Sequence, residues 1–151
     1  MVAVNSQEFF NSLERGRPLI SVDYGAKKVG VAISDPSCNI AMPLMVIEEL
    51  SDKIKVTKLL EIFNKHNIGG IVLGLPVNMD GSHSEQTKQT QEFVQRLEKR
   101  TKLPILLQDE RLTSKAADSF LKQMGMSRKM RNKSDDSTAA SLILETVLNS
   151  R

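Results

Sequence analysis

Three carboxylates stand where solvation alone does not explain an acid: Asp23, Glu110 and Asp136. Asp23 closes the apolar run Leu19-Ile20-Ser21-Val22, which together with Val29-Gly30-Val31-Ala32-Ile33 reads as a β-hairpin around a Gly/Lys turn. An acid at the exit of an apolar strand is costly unless it is paired, hydrogen-bonded or bound to a cation. An Asx-type turn, with Gly25 two residues after Asp23, would account for this acid taken alone. Glu110 ends a second apolar run, Ile105-Leu106-Leu107-Gln108-Asp109-Glu110. Strand side chains alternate, so Asp109 and Glu110 point to opposite faces and only one can look into a shared site. Asp136 lies four residues before Ala140 in a stripe that continues through Ile143, Leu144, Val147 and Leu148, which turns it toward the core side. A helix N-terminus beginning at Ser134 would also favour acids by its dipole, a reading that fits Asp135 better than Asp136.

Converging carboxylates with no His or Cys among them are hard oxygen ligands, and they repel one another unless a cation neutralises them. Mg²⁺ or Mn²⁺ suits such a set, because these ions accept a few carboxylates and keep several waters. Two such ions about 3.5–4 Å apart activate a water and stabilise the leaving oxygen of a phosphodiester. The chemistry these acids suggest is metal-dependent phosphodiester hydrolysis.

The distribution of charge points the same way. The formal net charge is +3, but residues 111–134 hold seven basic side chains and one acid, Asp118. The rest of the chain is net acidic, so the basic character is local, as expected of a segment that meets backbone phosphates. A solvated surface with an accidental cluster is the plain alternative. The single Cys38 cannot form an internal disulfide, and His66 and His83 lack partners at metal-ligand spacing. No apolar run reaches the length of a membrane span and no leader opens the chain, so the expected location is the cytoplasm, with no membrane partner.

Elements that could position these acids follow from periodicity. A single domain of 151 residues is expected, with residues 1–17 as an appendage: a short helix capped by Asn5 or Ser6, with Phe9, Phe10 and Leu13 on its apolar side. Residues 40–48 read as a third strand, at an edge because of Pro43. Residues 51–66 read as a helix with Ile54, Leu59, Leu60 and Phe63 inward. Residues 68–76 read as a strand buried on both faces, and a helix follows from Ser84 with Phe93, Val94 and Leu97 inward. After the fifth strand, Thr113 or Ser114 is expected to cap a helix that ends near Gly125, and a basic linker leads to the last helix. The order implies an α/β fold with a five-stranded mixed sheet: strands 1–3 an antiparallel meander, strands 1, 4 and 5 parallel through right-handed crossovers. Sites in open sheets of this kind form beyond the carboxyl ends of the parallel strands, where Asp23 and Glu110 lie.

Four segments, in order, resemble the motifs of the bacterial YqgF/RuvX family: residues 23–32 (DYGAKKVGVA), 74–81 (GLPVNMDG), 109–114 (DERLTS) and 133–140 (KSDDSTAA). The resemblance runs from about residue 19 to the C-terminus. It implies an RNase H-like fold and a nuclease acting on nucleic acid, in a family first described as Holliday junction resolvases and now associated with 5′-end maturation of 16S ribosomal RNA. Carried over by position, Asp23 would bridge two metals, with Glu110 and Asp136 each holding one side. The last motif has the form Asp-x-x-Ala-Ala, which selects Asp136 through Ala139-Ala140. Ala26 departs from the family, where a Thr is frequent. Lys27, Arg111, Arg128, Lys129, Arg131 and Lys133 are the expected phosphate contacts, giving affinity rather than sequence choice. Asn78 and Asp80 would orient substrate or a metal-bound water; a tight turn requiring Gly81 is the equal alternative.

The same residues admit other readings. The Asp-x-Gly hairpin also resembles the phosphate-binding hairpin of actin-like and sugar-kinase ATPases, which need two such domains where this chain has room for one. A branched-DNA resolvase and a non-catalytic RNA-binding factor of the ribosomal small-subunit precursor share the basic surface. The sequence does not choose RNA over DNA.

Overall fold

A computed structural model of the chain describes residues 2–3, 5–110 and 128–151, with residues 128–136 described by their helical backbone alone. The elements are α1 (Ser6–Asn11), β1 (Leu19–Tyr24), β2 (Lys28–Ser34), β3 (Ala41–Glu48), α2 (Asp52–His66), β4 (Gly70–Leu75), α3 (Glu85–Glu98), β5 (Ile105–Asp109) and α4 (Arg128–Asn149).

One five-stranded sheet has the order β3-β2-β1-β4-β5. β1 pairs antiparallel with β2 and parallel with β4, and β4 pairs parallel with β5. The apolar strand β4, flanked on both sides, is buried along nearly its whole length. β3 is an edge strand, and the register of its pairing with β2 shifts beside Pro43, where a missing N–H does least harm to the ladder.

Alternation along the strands sends two sets of side chains to two helical layers. Ile20, Val22 and Tyr24 of β1 join Val56, Leu59 and Phe63 of α2 and Phe93 and Leu97 of α3. Leu19, Val72 and Leu106 on the other face join Phe9 of α1 and Ile143, Leu144 and Val147 of α4. Each large apolar side chain taken from water contributes roughly 1.5–3 kcal/mol, so these two layers dominate the folding energy.

Helix ends are set locally. Asn5, Ser51 and Ser84 each accept a backbone N–H at an N-cap, and Asn67 closes α2 in the left-handed conformation at φ 55°. The Thr87 hydroxyl also donates to the Pro76 carbonyl, tying the start of α3 to the exit of β4.

Two sequence expectations are corrected. The inward stripe of α2 includes Val56 and Ile62 rather than Ile54, which is 43% exposed. The stripe follows Val56, Leu59, Ile62 and Phe63, and Ile54 falls off that face at 100° per residue. The last helix begins at Arg128, not at Ser134, so the basic residues 128–133 are helical rather than a linker. Arg, Lys and Met are strong helix formers, and no Gly or Pro lies between residues 128 and 149 to stop the helix. Asp136 therefore lies more than two turns inside α4, beyond the reach of its dipole terminus. The expected helix from Thr113 to Gly125, and with it Arg111, lies outside the described residues.

Candidate active site

Asp23 occupies the last turn-ward position of β1 that faces α4. Its neighbours on both adjacent strands are glycines: Gly30 is its partner on β2, and the register of β1 with β4 continues from Val22↔Leu73 to Asp23 beside Gly74. No side chain on either adjacent strand crowds the carboxylate.

Glu110 follows β5 directly, and its backbone N–H donates to the Leu75 carbonyl at 3.2 Å, extending the β4–β5 ladder by one residue. Leu106 packs toward α4, so Gln108 and Glu110 share that face, whereas Asp109 is exposed. The Glu110 side chain reaches across Gly74, into the space that a Cβ there would occupy, and hydrogen-bonds with the Asp23 carboxyl. Burial holds the Glu110 carboxyl above the usual range and the charge of Asp109 adds to this, while the bond with Asp23 pulls the other way. Two carboxyl groups in hydrogen-bond contact share a proton unless a cation takes its place.

The third acid can be located by its backbone. Ser21 donates its hydroxyl to the carbonyl of Ala140, which lays α4 over β1 at that point. The far end of α4 leads to Arg151, which donates to the Cys38 carbonyl in the β2–β3 turn at the opposite end of the sheet. The helix therefore runs antiparallel to β1. Moving from Ala140 to residue 136 covers about 6 Å along the helix, and moving from Ser21 to Asp23 covers about 6.6 Å along the strand in the same direction. Residue 136 thus lies at the Asp23 end of the sheet.

Other expected contacts are distributed around this edge. Lys27 is exposed in the β1–β2 turn. In the loop after β4, the Asn78 amide donates to the Ser82 hydroxyl at 2.9 Å, and Asp80 accepts from the Ser82 backbone and hydroxyl at 2.9 and 2.6 Å. With Gly81 at φ 87° these bonds make a tight turn, so both polar side chains are engaged within the loop. Arg128, Lys129, Arg131 and Lys133 fall on the first two turns of α4.

A buried group supports the β1–β2 turn that sequence reasoning missed. Lys55 of α2 is 0% exposed, and its Nζ donates to the Ala26 carbonyl at 2.7 Å and to Asp52 at 3.0 Å while lying 4.8 Å from the centre of the Tyr24 ring. The Tyr24 hydroxyl donates to the same Asp52 oxygen at 2.7 Å. Burial and this bond push the Tyr24 phenol above its usual range. Its signal in the sequence is a cation four residues before Leu59, on the apolar stripe of the helix.

The donor set suits a hard divalent cation. The oxygens come from carboxylates, the pair is held at rigid strand ends, and the missing side chain at Gly74 gives the Glu110 carboxyl room beside Asp23. Among the described residues no group of three potential ligands is assembled.

The sequence profile of the RuvX family, described as Holliday junction resolvase, matches residues 17–150. This chain belongs to the RuvX family. A Rickettsia felis protein named provisionally as a pre-16S rRNA nuclease is 52% identical over 150 residues, spanning 99% of this chain and 97% of its own length. A similarly named protein of Rickettsia bellii is 53% identical over the same share of both chains. Among solved structures, the fowlpox virus Holliday junction resolvase is 17% identical with a TM-score of 0.51, covering 89% of this chain and 99% of its own. Thermus thermophilus RuvC in complex with a Holliday junction substrate is 12% identical with a TM-score of 0.50, covering 84% and 91%. The likeness to these structures establishes the RNase H-like fold of this RuvX member. Among its described residues no helix is long and apolar enough to cross a membrane.

Proposed function

We propose that this protein is a divalent-metal-dependent nuclease that cuts precursor 16S ribosomal RNA near its 5′ end, in the cytoplasm, during assembly of the small ribosomal subunit. The observation that carries the reading is the Asp23–Glu110 contact, two carboxyls brought together from non-adjacent strands at the carboxyl edge of the sheet. An RNA substrate is favoured over DNA by the names of relatives that match almost the whole chain at half identity.

In this reading Asp23, Glu110 and Asp136 would hold Mg²⁺ or Mn²⁺. When bound, the metal supplies a water activated for attack and a counter-charge for the leaving oxygen. Asp23 and Glu110 would hold the cation as carboxylates, and the strands keep both groups in place without reorganisation. Lys27, Arg111, Arg128, Lys129, Arg131 and Lys133 hold backbone phosphates and so set the register of the strand. Asn78, already bonded within its turn, presents that turn beside the exit of β4.

The test is cleavage of a 5′-extended 16S precursor fragment and, in parallel, a four-way DNA junction, with Mg²⁺ or Mn²⁺, by the native protein and by Asp23→Asn. RNA cutting that disappears in the variant is the expected result. Junction cutting alone would move the protein to DNA recombination, in line with the description of its family. Cutting of neither substrate under both metals would leave an RNA-binding factor of the ribosomal precursor.

A further inference from the structure

On the face of the sheet opposite the Asp23–Glu110 pair, α2 and α3 leave a groove of about 470 Å³ between them. Lys53, Arg96, Lys99 and Arg100 line it against a single acid, Glu92, with Val56 at its floor. Past Arg100 the groove meets a second depression of about 300 Å³, to which Arg17 and Lys102 contribute. The α2 residues along this path run from Lys53 to Asn64. At 1.5 Å per residue that is about 16 Å, a length spanning several phosphates of a duplex strand.

Three features set this surface apart from an ordinary solvated face. Arg96 lies in the last turn of α3 and Lys99 at its C-cap, where the helix dipole favours cations, but Lys53 lies in the first turn of α2, where the dipole opposes it. The helix itself gives no reason for a lysine there. Among the described residues, none of Lys53, Arg96, Lys99, Arg100 and Lys102 has an ion-pair partner, although Glu92 and Arg96 are spaced to pair along one helix. The groove thus brings four cations together against one acid, with no close ion pair to any of the four among the described residues. Finally, none of the exposed large apolar side chains lines the groove, so it offers no anchor for insertion into lipid.

We propose that this groove is a second nucleic-acid contact, which holds the phosphate backbone of an RNA segment remote from the bond that is cut. The proposal rests on the nuclease reading for its choice of RNA. Because the groove and the carboxylates occupy opposite faces of the sheet, only a folded RNA large enough to reach both engages them together. The protein then selects structured precursor RNA over short strands by the size of the surface it covers.

The experiment measures binding in the cleavage-deficient Asp23→Asn protein, with and without Lys99→Glu and Arg100→Glu. Two probes are compared, a folded 5′-extended 16S precursor fragment and a single strand of about ten nucleotides, over about 50 to 200 mM salt. The charge reversals are expected to weaken binding of the folded RNA by roughly tenfold and to lower its salt slope by about 2, while affinity for the short strand holds. Undiminished binding of the folded RNA would overturn the proposal, as would an equal loss for both probes. Binding to anionic phosphatidylglycerol vesicles, lost in the charge-reversed protein, with no difference for RNA, would assign the groove to membranes instead. Failure of the nuclease reading is seen separately, as absence of cutting by the native protein.

Discussion

Glu110 places its carboxyl over Gly74, in the volume that a side chain at that position would need. The methyl of Gly74→Ala would also meet the end of the Ile143 side chain from α4, so both side-chain ends must shift to admit it. The substitution is therefore expected to push the Glu110 carboxyl off Asp23. Overpacking of this kind costs about 1–2 kcal/mol, or roughly 3–6 °C in Tm for a chain of this size. RNA cleavage should fall by much more than the stability loss explains, at least tenfold. Cleavage assays beside thermal melts check this, and wild-type cleavage in Gly74→Ala would separate the glycine from the placement of Glu110.

The Asp23–Glu110 pair also predicts a pH dependence with a definite sign. Burial raises the Glu110 carboxyl above its ordinary value, so the folded state binds a proton that the unfolded state has already released. The stability this gives is complete below the unfolded value and is lost as pH rises through the folded one. Metal-free protein should therefore lose stability as pH rises above the ordinary carboxylate range, and Glu110→Gln should flatten that loss while abolishing cleavage. Mg²⁺ or Mn²⁺ should stabilise the native protein at neutral pH and have little effect where Glu110 is protonated. Urea titrations at several pH values, with metal or chelator, measure both effects. Equal stabilisation by metal at every pH would argue against a site built on these carboxyls.

Periodicity made most of this fold legible, and the places where it failed have physical causes. Alternation placed Asp23 and Glu110 on strand ends, and it correctly sent Asp109 and Glu110 to opposite faces. Connectivity sufficed to order the sheet, because a meander on one side of β1 and parallel strands joined by helices on the other leave few alternatives. The start of α4 was misplaced because a cap-like Ser134 followed by two acids looks the same in sequence whether it begins a helix or lies within one. Lys55 escaped notice because a lysine is ordinarily solvated: its spacing to Asp52 is a local i,i+3 pattern, but its burial also depends on Tyr24 and on a carbonyl from the distant β1–β2 turn, which no local pattern contains. The basic groove was equally invisible, since its cations come from segments some forty residues apart that only the packing of α2 against α3 brings together.

Lys55 should be a large contributor to stability for its class. Lys55→Met leaves the Ala26 carbonyl without its donor and the Asp52 carboxylate without its cation, at an expected cost of about 2–4 kcal/mol. Adding Asp52→Asn to that variant removes the uncompensated charge and should recover part of the loss, because the two residues act as a unit. A double-mutant cycle by urea unfolding measures the coupling. Additive losses would mean that the two side chains contribute independently.

The N-terminal segment is expected to behave as part of the core rather than as a removable arm. Phe9 is 0% exposed and packs with Leu19, Val72 and Leu106 of the sheet and Leu144 and Val147 of α4. The Ala3 N–H also donates to the Ile105 carbonyl at 2.8 Å, beside the bridge between Val2 and Ile105 at the free edge of β5. Phe9→Ala should therefore cost about 3–5 kcal/mol, the usual range for a large aromatic cut from a close-packed interior. The same layer holds Ile143, the α4 side chain that a Cβ at Gly74 would meet, so loosening it should also weaken the seating of α4 over Asp23. The variant is expected to show reduced affinity for Mn²⁺ at temperatures well below its Tm, where the fold is otherwise intact. Calorimetric titration at such a temperature decides the point: unchanged metal affinity would confine the effect of Phe9 to global stability.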